Sequence, residues 1–366
     1  MYGPPVTDDL KLNALLSQVL VAYTIEFDYL FEAKVPHTTT IGTGAGGFNQ
    51  GGIWLVSQAM WTTYLRFVRP EGTPVRELQA RARQSAAGVK SALHHLEWWH
   101  YLTFAPDPAD RRPKPRYRDL LVHLTPAGRV AQEGWQPIGA LMQKRWAKRF
   151  GKDALGRLQD ALREVVANLD PDLPDYLPVV QYNDGLRVQL ADPDDGAVQR
   201  RGPVELLDVS ALLSRVLLGM ALDYESAHPL SLTTSANVLR VVDAKGTPSR
   251  DLPRRGGVDK AGVVAATNFL QRNGYVEIGN DKDKVVRPTA KGRAEQREYA
   301  RTDWQHPALE QVLCELDLTP GLRPPDGSWR TVKPYAQQVE AFLSDPRAAL
   351  PHHPMILHRG GYPDGC

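Results

Sequence analysis

The residues best suited to chemistry fall into three groups: carboxylates on apolar helices, a glycine-rich run and a set of basic side chains. Glu26 and Asp223 occupy aligned positions beside apolar stripes. Such a pair could serve as general acid and base, anchor a ligand, or partner arginines. Equivalent positions in two similar segments favour a structural role. Six of the ten histidines (His94, His95, His100, His352, His353, His358) show no i, i+4 spacing with carboxylates, and no metal centre and no cofactor are expected. "GTGAGG" (Gly42 to Gly47) invites a dinucleotide reading, but that fingerprint needs a strand before it and a helix directly after. Here "PHTTT" precedes it, and nothing later in the chain matches it. An insertion loop is the expectation.

The basic residues carry more. "DRRPKPRYRD" (Asp110 to Asp119) holds Arg111, Arg112, Lys114, Arg116 and Arg118, and Pro113 and Pro115 keep the stretch extended. Arginine on an extended loop suits phosphate contact or minor-groove insertion. Arg83, Ser85, Lys90, Ser91 and His94 lie just upstream, and Arg254, Arg255, Lys260, Asn268, Lys282 and Lys284 form a second set. Ala86, Ala87, Ala261 and Ala265 among them would allow close groove approach, while Lys and Asn can read base edges. The plain alternative is a set of solvated charges. Trp54, Trp61, Trp98, Trp99 and Trp135 all fall in the first half and suit a core. An aromatic cavity there, with Tyr23, Glu26, Trp54, Trp61 and Trp98, would suit a small aromatic effector.

These residues sit on a domain written twice. "GTPVRELQAR" (Gly72 to Arg81) returns as "GTPSRDLPRR" (Gly246 to Arg255), a shift of 174, and the match continues ungapped to Tyr101 and Tyr275. Upstream, "ALLSQVL" (Ala14 to Leu20) matches "ALLSRVL" (Ala211 to Leu217) at a shift of 197. Downstream, "TPAGR" (Thr125 to Arg129) matches "TAKGR" (Thr289 to Arg293) at a shift of 164. Blocks in one order with different spacers indicate duplication with loop changes.

Each copy opens on a helix, its apolar residues recurring at three and four: Leu12, Leu16, Val19, Tyr23 and Phe27, then Val209, Leu213, Val216, Met220 and Tyr224. A short apolar helix follows, over 54–68 in copy one and about 234–242 in copy two. Thr-Pro then predicts a helix start, with Thr as N-cap and Pro at the first helical position. After a polar break come second caps, Ser85 and Asp259, ahead of Val89, Leu93 and Leu96 and of Val263, Thr267 and Leu270. Two short helices joined by a tight turn make the helix-turn-helix pattern. "YLTFAP" with "LLVHLT", and "YVEIGNDKDKVVRPT", predict hairpins after it. In copy one Trp135, Ile138, Met142 and Trp146 share a helical face, and Leu155, Leu158, Leu162, Val165 and Leu169 form another. That stripe exceeds one small domain's need and predicts packing against a further helical layer.

In this order of elements the chain resembles the MarR family of winged-helix transcription regulators. The family's acidic-x-Arg wing pattern is approximated by Arg118 and by Lys282, each seven residues before its Thr, with Lys in place of Arg in the second. The resemblance covers about residues 10–169 and 206–316. It implies winged helices that bind DNA and terminal helices that interlock. Family members are usually homodimers; this chain departs by fusing two copies, and so resembles a single-chain pseudodimer.

The bounds agree with a globular chain. Its 366 residues allow two cores, and a net charge of +2 points to no partner by itself. Two cysteines, Cys314 and Cys366, offer no disulfide framework. The N-terminus lacks a basic segment followed by an apolar run, and charge interrupts the apolar stretches, so neither signal peptide nor membrane span is expected and the cytoplasm is the default. The expected fold class is mainly α with small β-hairpin wings, two winged helix-turn-helix repeats joined by a helical pseudodimer layer. Expected boundaries are 1–185 for the first repeat, 186–205 for a linker, 206–320 for the second repeat and 321–366 for a C-terminal helix and extended tail. The tail "LPHHPMILHRGGYPDGC" (Leu350 to Cys366) echoes "LPDYLPVVQYNDGL" (Leu173 to Leu186), each running Leu-Pro, Pro, an apolar pair and then Asp-Gly, which predicts a crossing segment or Pro-rich disorder. The expected function is a non-enzymatic, sequence-specific regulator of double-stranded DNA that reads an imperfect palindrome, monomeric or at most weakly dimeric, and gated by a small effector. An architectural or protein-binding module, and an enzyme using Glu26 and Asp223, stay open as alternatives.

Overall fold

The computed structural model describes residues 10–35, 63–170, 172–180, 185–190, 203–258, 260–280, 282–322 and 356–357. Among these the protein is mainly helical, with two small antiparallel sheets of three strands each. The first half runs α1 (Leu12–Lys34), β1 (Thr73–Pro74), α2 (Val75–Ala82), α3 (Ala86–Trp98), β2 (Leu102–Ala105), β3 (Leu121–Leu124), α4 (Pro126–Trp135), α5 (Ile138–Phe150) and α6 (Lys152–Val166). A short strand, β4 (Val179–Val180), follows. The second half runs α7 (Val209–Ala227), a helical turn over 232–239, β5 (Thr247–Pro248), α8 (Leu252–Gly256), α9 (Lys260–Arg272), β6 (Val276–Ile278), β7 (Val285–Pro288), α10 (Ala290–Arg301) and α11 (Pro307–Glu315). The three sequence shifts are also the structural ones. The starts of α1 and α7 differ by 197, those of α3 and α9 by 174, and those of β3 and β7 by 164.

The duplicated motifs have local physical reasons. Gly72 and Gly246 take φ of 98° and 102°, a backbone that glycine adopts freely. A Cβ there would lie 2.5 Å from the His123 ring or 2.6 Å from Val285 Cγ1. The Thr73 hydroxyl accepts from Arg69 N at 3.0 Å, and Thr247 accepts from Asp243 N at 2.9 Å, closing the same turn. The Thr-Pro pair is therefore not the helix start that the sequence suggests. It is a two-residue edge strand, with Thr73 opposite Val122 and Thr247 opposite Val286. Proline is tolerated there because an edge strand leaves one row of N–H groups unused.

The second motif locks the hairpin to α4 and α10. Thr125 caps α4 by accepting from Gly128 N at 3.1 Å and donates to His100 O at 2.6 Å; Thr289 accepts from Gly292 N at 3.1 Å and donates to Gly274 O at 2.7 Å. Both glycines let the helix touch the carbonyl just before a strand, since a Cβ would lie 2.0 Å from Tyr101 O or 2.1 Å from Tyr275 O. Arg129 and Arg293 each donate to the carbonyl of the last strand residue, Leu124 at 2.8 Å and Pro288 at 2.7 Å. Gln132 and Gln296 then satisfy the ends of the preceding helical segments, Gln296 reaching Leu239 O and Val242 O at 2.8 Å each.

The halves share one continuous core. α1 packs on α7, α5 and α11, while α6 packs on α7 and α11, so each half's first helix meets the other half. Arg157 of α6 pairs with Glu315 of α11 at 2.5 Å, and Lys11 donates to Ala300 O and Thr302 O. α1 is covered almost all round rather than along one stripe. By length and composition its Leu12–Phe31 window is apolar enough to cross a membrane, against the sequence expectation; 83% of that window is buried inside the protein. Trp135 also departs from its expected face. It ends α4, partly buried, and the chain turns at Gln136–Pro137 before Ile138, Met142 and Trp146 continue into the core as α5. The echoed Leu-Pro segments do meet, β4 pairing in parallel with β8 (Ile356–Leu357) at the echoed positions. The rest of the tail, the 42–47 glycine run and the copy-one apolar helix before Thr63 lie outside the described residues.

Candidate nucleic-acid interface

In each half a second helix shows one face to the core and one to solvent. Ser85 caps α3, accepting from Gly88 N at 3.2 Å, as the sequence predicts; Asp259, the aligned cap, lies outside the described residues. Gly88, Val89, Leu93 and Leu96 are buried, which leaves Ala86, Ala87, Lys90 and His94 exposed, with Ser91 half-buried. Trp98 joins this outward face at 56% exposure, so it lines no core cavity. α9 buries Gly262, Val263, Ala266, Thr267 and Leu270 and exposes Lys260, Ala261, Val264 and Asn268. The Thr267 hydroxyl donates to Val263 O at 2.8 Å, so its burial leaves no orphan donor.

The copy-one hairpin loop is pinned onto α3 by aromatic rings, of which Tyr117 and Phe104 are absent from the sequence-derived candidates while His94 is among them. Tyr117 stacks on His94 with centroids 5.6 Å apart, and Phe104 lies 5.4 Å from Tyr117 and 5.9 Å from His94. Lys90 Nζ stands 6.0 Å over the Tyr117 ring, and burial pushes the Tyr117 phenol up to about 12. A lone tyrosine inside a charged loop was the available signal. The loop and the outward face of α3 therefore form one surface.

All five basic side chains of this loop are exposed, but not equally free. Arg112 binds Asp110 at 2.6 Å and Asp119 at 2.8 Å, and its hydrogen bonds pull the Asp110 carboxyl down to about 2. Asp119 also takes Arg76 at 2.7 Å, a pair that recurs as Arg250 with Asp283 at 2.7 Å, while Arg118 stands 4.0 Å from Asp119. Arg111, Lys114 and Arg116 form no ion pair among the described residues. In copy two Lys282 and Lys284 are exposed on a shorter loop, and Lys284 takes φ of 45°. Arg254 is exposed, and Arg255 is drawn to Asp243 at 2.6 Å. Arg83 turns away from this surface. It holds the left-handed position after α2 (φ 51°), is 9% exposed and donates to Asp172 O at 3.3 Å. Its copy-two equivalent, Gly257, takes φ of 59°, so the position serves the turn.

The other candidate residues separate. Glu26 is buried and receives Arg145 Nε at 2.6 Å, Arg149 at 2.9 Å and Trp146 Nε1 at 3.0 Å. Burial pushes this carboxyl up, but those donors outweigh it and hold it below the usual range. Gly321, from the second half, covers the clasp; a Cβ there would lie 2.6 Å from Glu26 Oε2. Tyr23 packs edge-on against Trp146 at 5.2 Å, within the same core. Asp223 is exposed whereas Glu26 is buried in its arginine clasp, so the two aligned carboxylates sit in different environments. Tyr23 and Glu26 sit in the helical layer and Trp98 on the outer face of α3, so these three line no common cavity; Trp54 and Trp61 lie outside the described residues. Among the described residues of copy two the buried carboxylate is Glu225, which accepts from Val188 N at 2.8 Å and Leu232 N at 3.2 Å.

Comparison of the chain with family models, with curated proteins and with solved structures finds no match.

Proposed function

We propose that the chain is a regulator that binds double-stranded DNA, its halves being two MarR-like winged helix-turn-helix units on one polypeptide. The observation that supports this is the doubling of one presentation. In each half a second helix holds its outward face free of the core, beside a hairpin carrying exposed cations. Between Gly72 and Arg129 there are ten Lys and Arg against five Asp and Glu, and the same ten against five lie between Gly246 and Arg293. Such charge, next to a helix with small residues at its start, fits a phosphate backbone flanking a major groove. Because α1, α6, α7 and α11 join the halves, one chain would present both heads to an imperfect palindrome without a partner subunit.

The test is titration of the full chain with labelled random duplex across a salt series, followed by selection of bound sites. Binding is expected to fall with salt, with a log–log slope of about −3 or steeper from the free loop cations. Selection is expected to enrich a two-part site. Salt-independent retention, or a pool that stays random, would remove the reading. A protein-docking role is the second reading, favoured by the exposure of Trp98. It expects Trp98→Ala to abolish capture of a protein partner while leaving duplex binding absent throughout.

A further inference from the structure

The outward faces of α3 and α9 can be compared position by position, because the shift of 174 holds along both helices. Lys90 corresponds to Val264, His94 to Asn268 and Trp98 to Arg272. All six are exposed, and none of these three positions keeps its chemistry, although the exposed Ala87 and Ala261 beside them do match. The buried faces, by contrast, match closely: Gly88 and Gly262, Val89 and Val263, Leu96 and Leu270. Val264 is the unusual member. It is 48% exposed on a helix whose apolar needs are already met by Val263, Ala266 and Leu270. Ala261 lies one turn before it and Asn268 one turn after. Lys260, Arg254, Lys282 and Lys284, all exposed, supply the cations that would hold a polyanion against this face.

From this we infer that the two heads read different base pairs: α9 reads an A·T-containing half-site through Val264 and Asn268, and α3 reads a G·C-containing one through Lys90. The inference rests on the DNA-binding reading above. Its chemistry follows from what each base edge offers in the major groove. Adenine presents an acceptor and a donor that an Asn amide matches with two hydrogen bonds, and thymine presents a methyl group that an apolar side chain covers. Guanine presents two acceptors, which suit a lysine ammonium and leave an asparagine donor–acceptor pair mismatched. Val264 stands where copy one has Lys90, so the second head cannot repeat the first head's contact to guanine. The site of a chain with such heads is asymmetric in composition, not only in spacing.

The experiment is selection of bound duplexes from a random pool, run with the full chain and with a variant whose α9 face copies α3 (Val264→Lys with Asn268→His). Both positions are exposed, so the variant should fold, and its melting curve checks that. The natural chain is expected to enrich one A·T-bearing and one G·C-bearing half-site, and the variant two alike. A second measurement replaces thymine by deoxyuridine in the enriched A·T half-site. Loss of that methyl is expected to weaken the natural chain about fourfold and to leave Val264→Ala unchanged. Asn268→Ala should cost about 5- to 150-fold on the same half-site. A natural chain that enriches two identical half-sites, a variant with unaltered preference, or equal sensitivity to deoxyuridine with and without Val264 overturns the inference while the DNA-binding reading stands. If neither chain enriches any duplex, that reading falls and the inference with it.

Discussion

The two copies agree where the chain folds and disagree where it faces out. Thr125 and Thr289 make the same cap, Gly128 and Gly292 the same close approach, and Arg76 and Arg250 the same ion pair. Meanwhile Lys90 has become Val264, and the long loop carrying Arg111 to Arg118 has shrunk to a tip with Lys282 and Lys284. A duplicated fold tolerates drift at exposed positions because surface changes cost little, whereas caps, turns and strand contacts carry about 1 kcal/mol or more each. The divergence of the outward faces is thus the freedom that would let one fold carry two different recognition surfaces, as proposed above.

The helical layer breaks the symmetry most sharply at one aligned pair. Glu26 is enclosed by two guanidinium groups and an indole, while Asp223 lies in solvent. Removing one partner of a buried ionic cluster leaves the others uncompensated. Glu26→Ala is expected to lower unfolding stability by about 3–5 kcal/mol, read by urea titration. Asp223→Ala should stay within about 0.5 kcal/mol. Similar losses at both sites would mean that the layer is more symmetric than the clasp indicates.

How much of this was legible in the sequence depends on the range of each interaction. The three shifts, the second-helix cap at Ser85 and the inward residues of α3 and α9 follow from short-range patterns, and the structure repeats them. Thr73–Pro74 misleads because a two-residue strand is defined by its partner, Val122, far along the chain. The clasp on Glu26 joins residues more than 100 apart, so nothing near Glu26 announces Arg145 or Arg149. Arg83 looks like a phosphate ligand until its left-handed backbone turns it towards Asp172. Charge is visible in a sequence, but direction is not.

Glu225 gives the second copy a pH dependence that Glu26 does not share. Burial pushes its carboxyl up to about 7 from a usual 4.5, against the hydrogen bonds from Val188 and Leu232 and the nearby Arg187 charge. An acid whose pKa is raised by folding favours the folded state below its unfolded value, and that advantage is lost as pH climbs through the folded one. Stability should therefore fall between about pH 4.5 and pH 7, by up to about 3 kcal/mol from this group. Glu225→Gln should remove that component, seen as the difference between the two stability–pH curves. Parallel curves would place the Glu225 carboxylate in a more hydrated setting than its 4% exposure implies.

A smaller and symmetric effect is expected at the paired glycines. Gly128→Ala and Gly292→Ala each force a methyl group against the carbonyl that precedes a strand, Tyr101 O or Tyr275 O, and overpacking of this kind costs about 1–3 kcal/mol. Equal losses, measured by thermal unfolding, would show that the hairpins are fastened alike. A loss in one copy only would mean that the two heads differ in rigidity as well as in surface.

The last contrast lies within the basic loop and is read in salt dependence. Arg116 and Lys114 have no acidic partner among the described residues, while Arg112 is already neutralised by Asp110 and Asp119. A cation that meets a phosphate releases a counterion and contributes about 0.9 to the slope of log affinity against log salt. Arg116→Ala and Lys114→Ala should each flatten the slope by about that amount and weaken all sequences alike. Arg112→Ala should flatten it less, because releasing Asp110 and Asp119 subtracts no counterion from the DNA. If Arg112→Ala instead gives the largest change, the ion pairs open on the duplex and the loop reorganises when it binds. If none of the three substitutions moves the slope while the site is still bound, the loop stays in solvent and recognition rests on α3 and α9 alone.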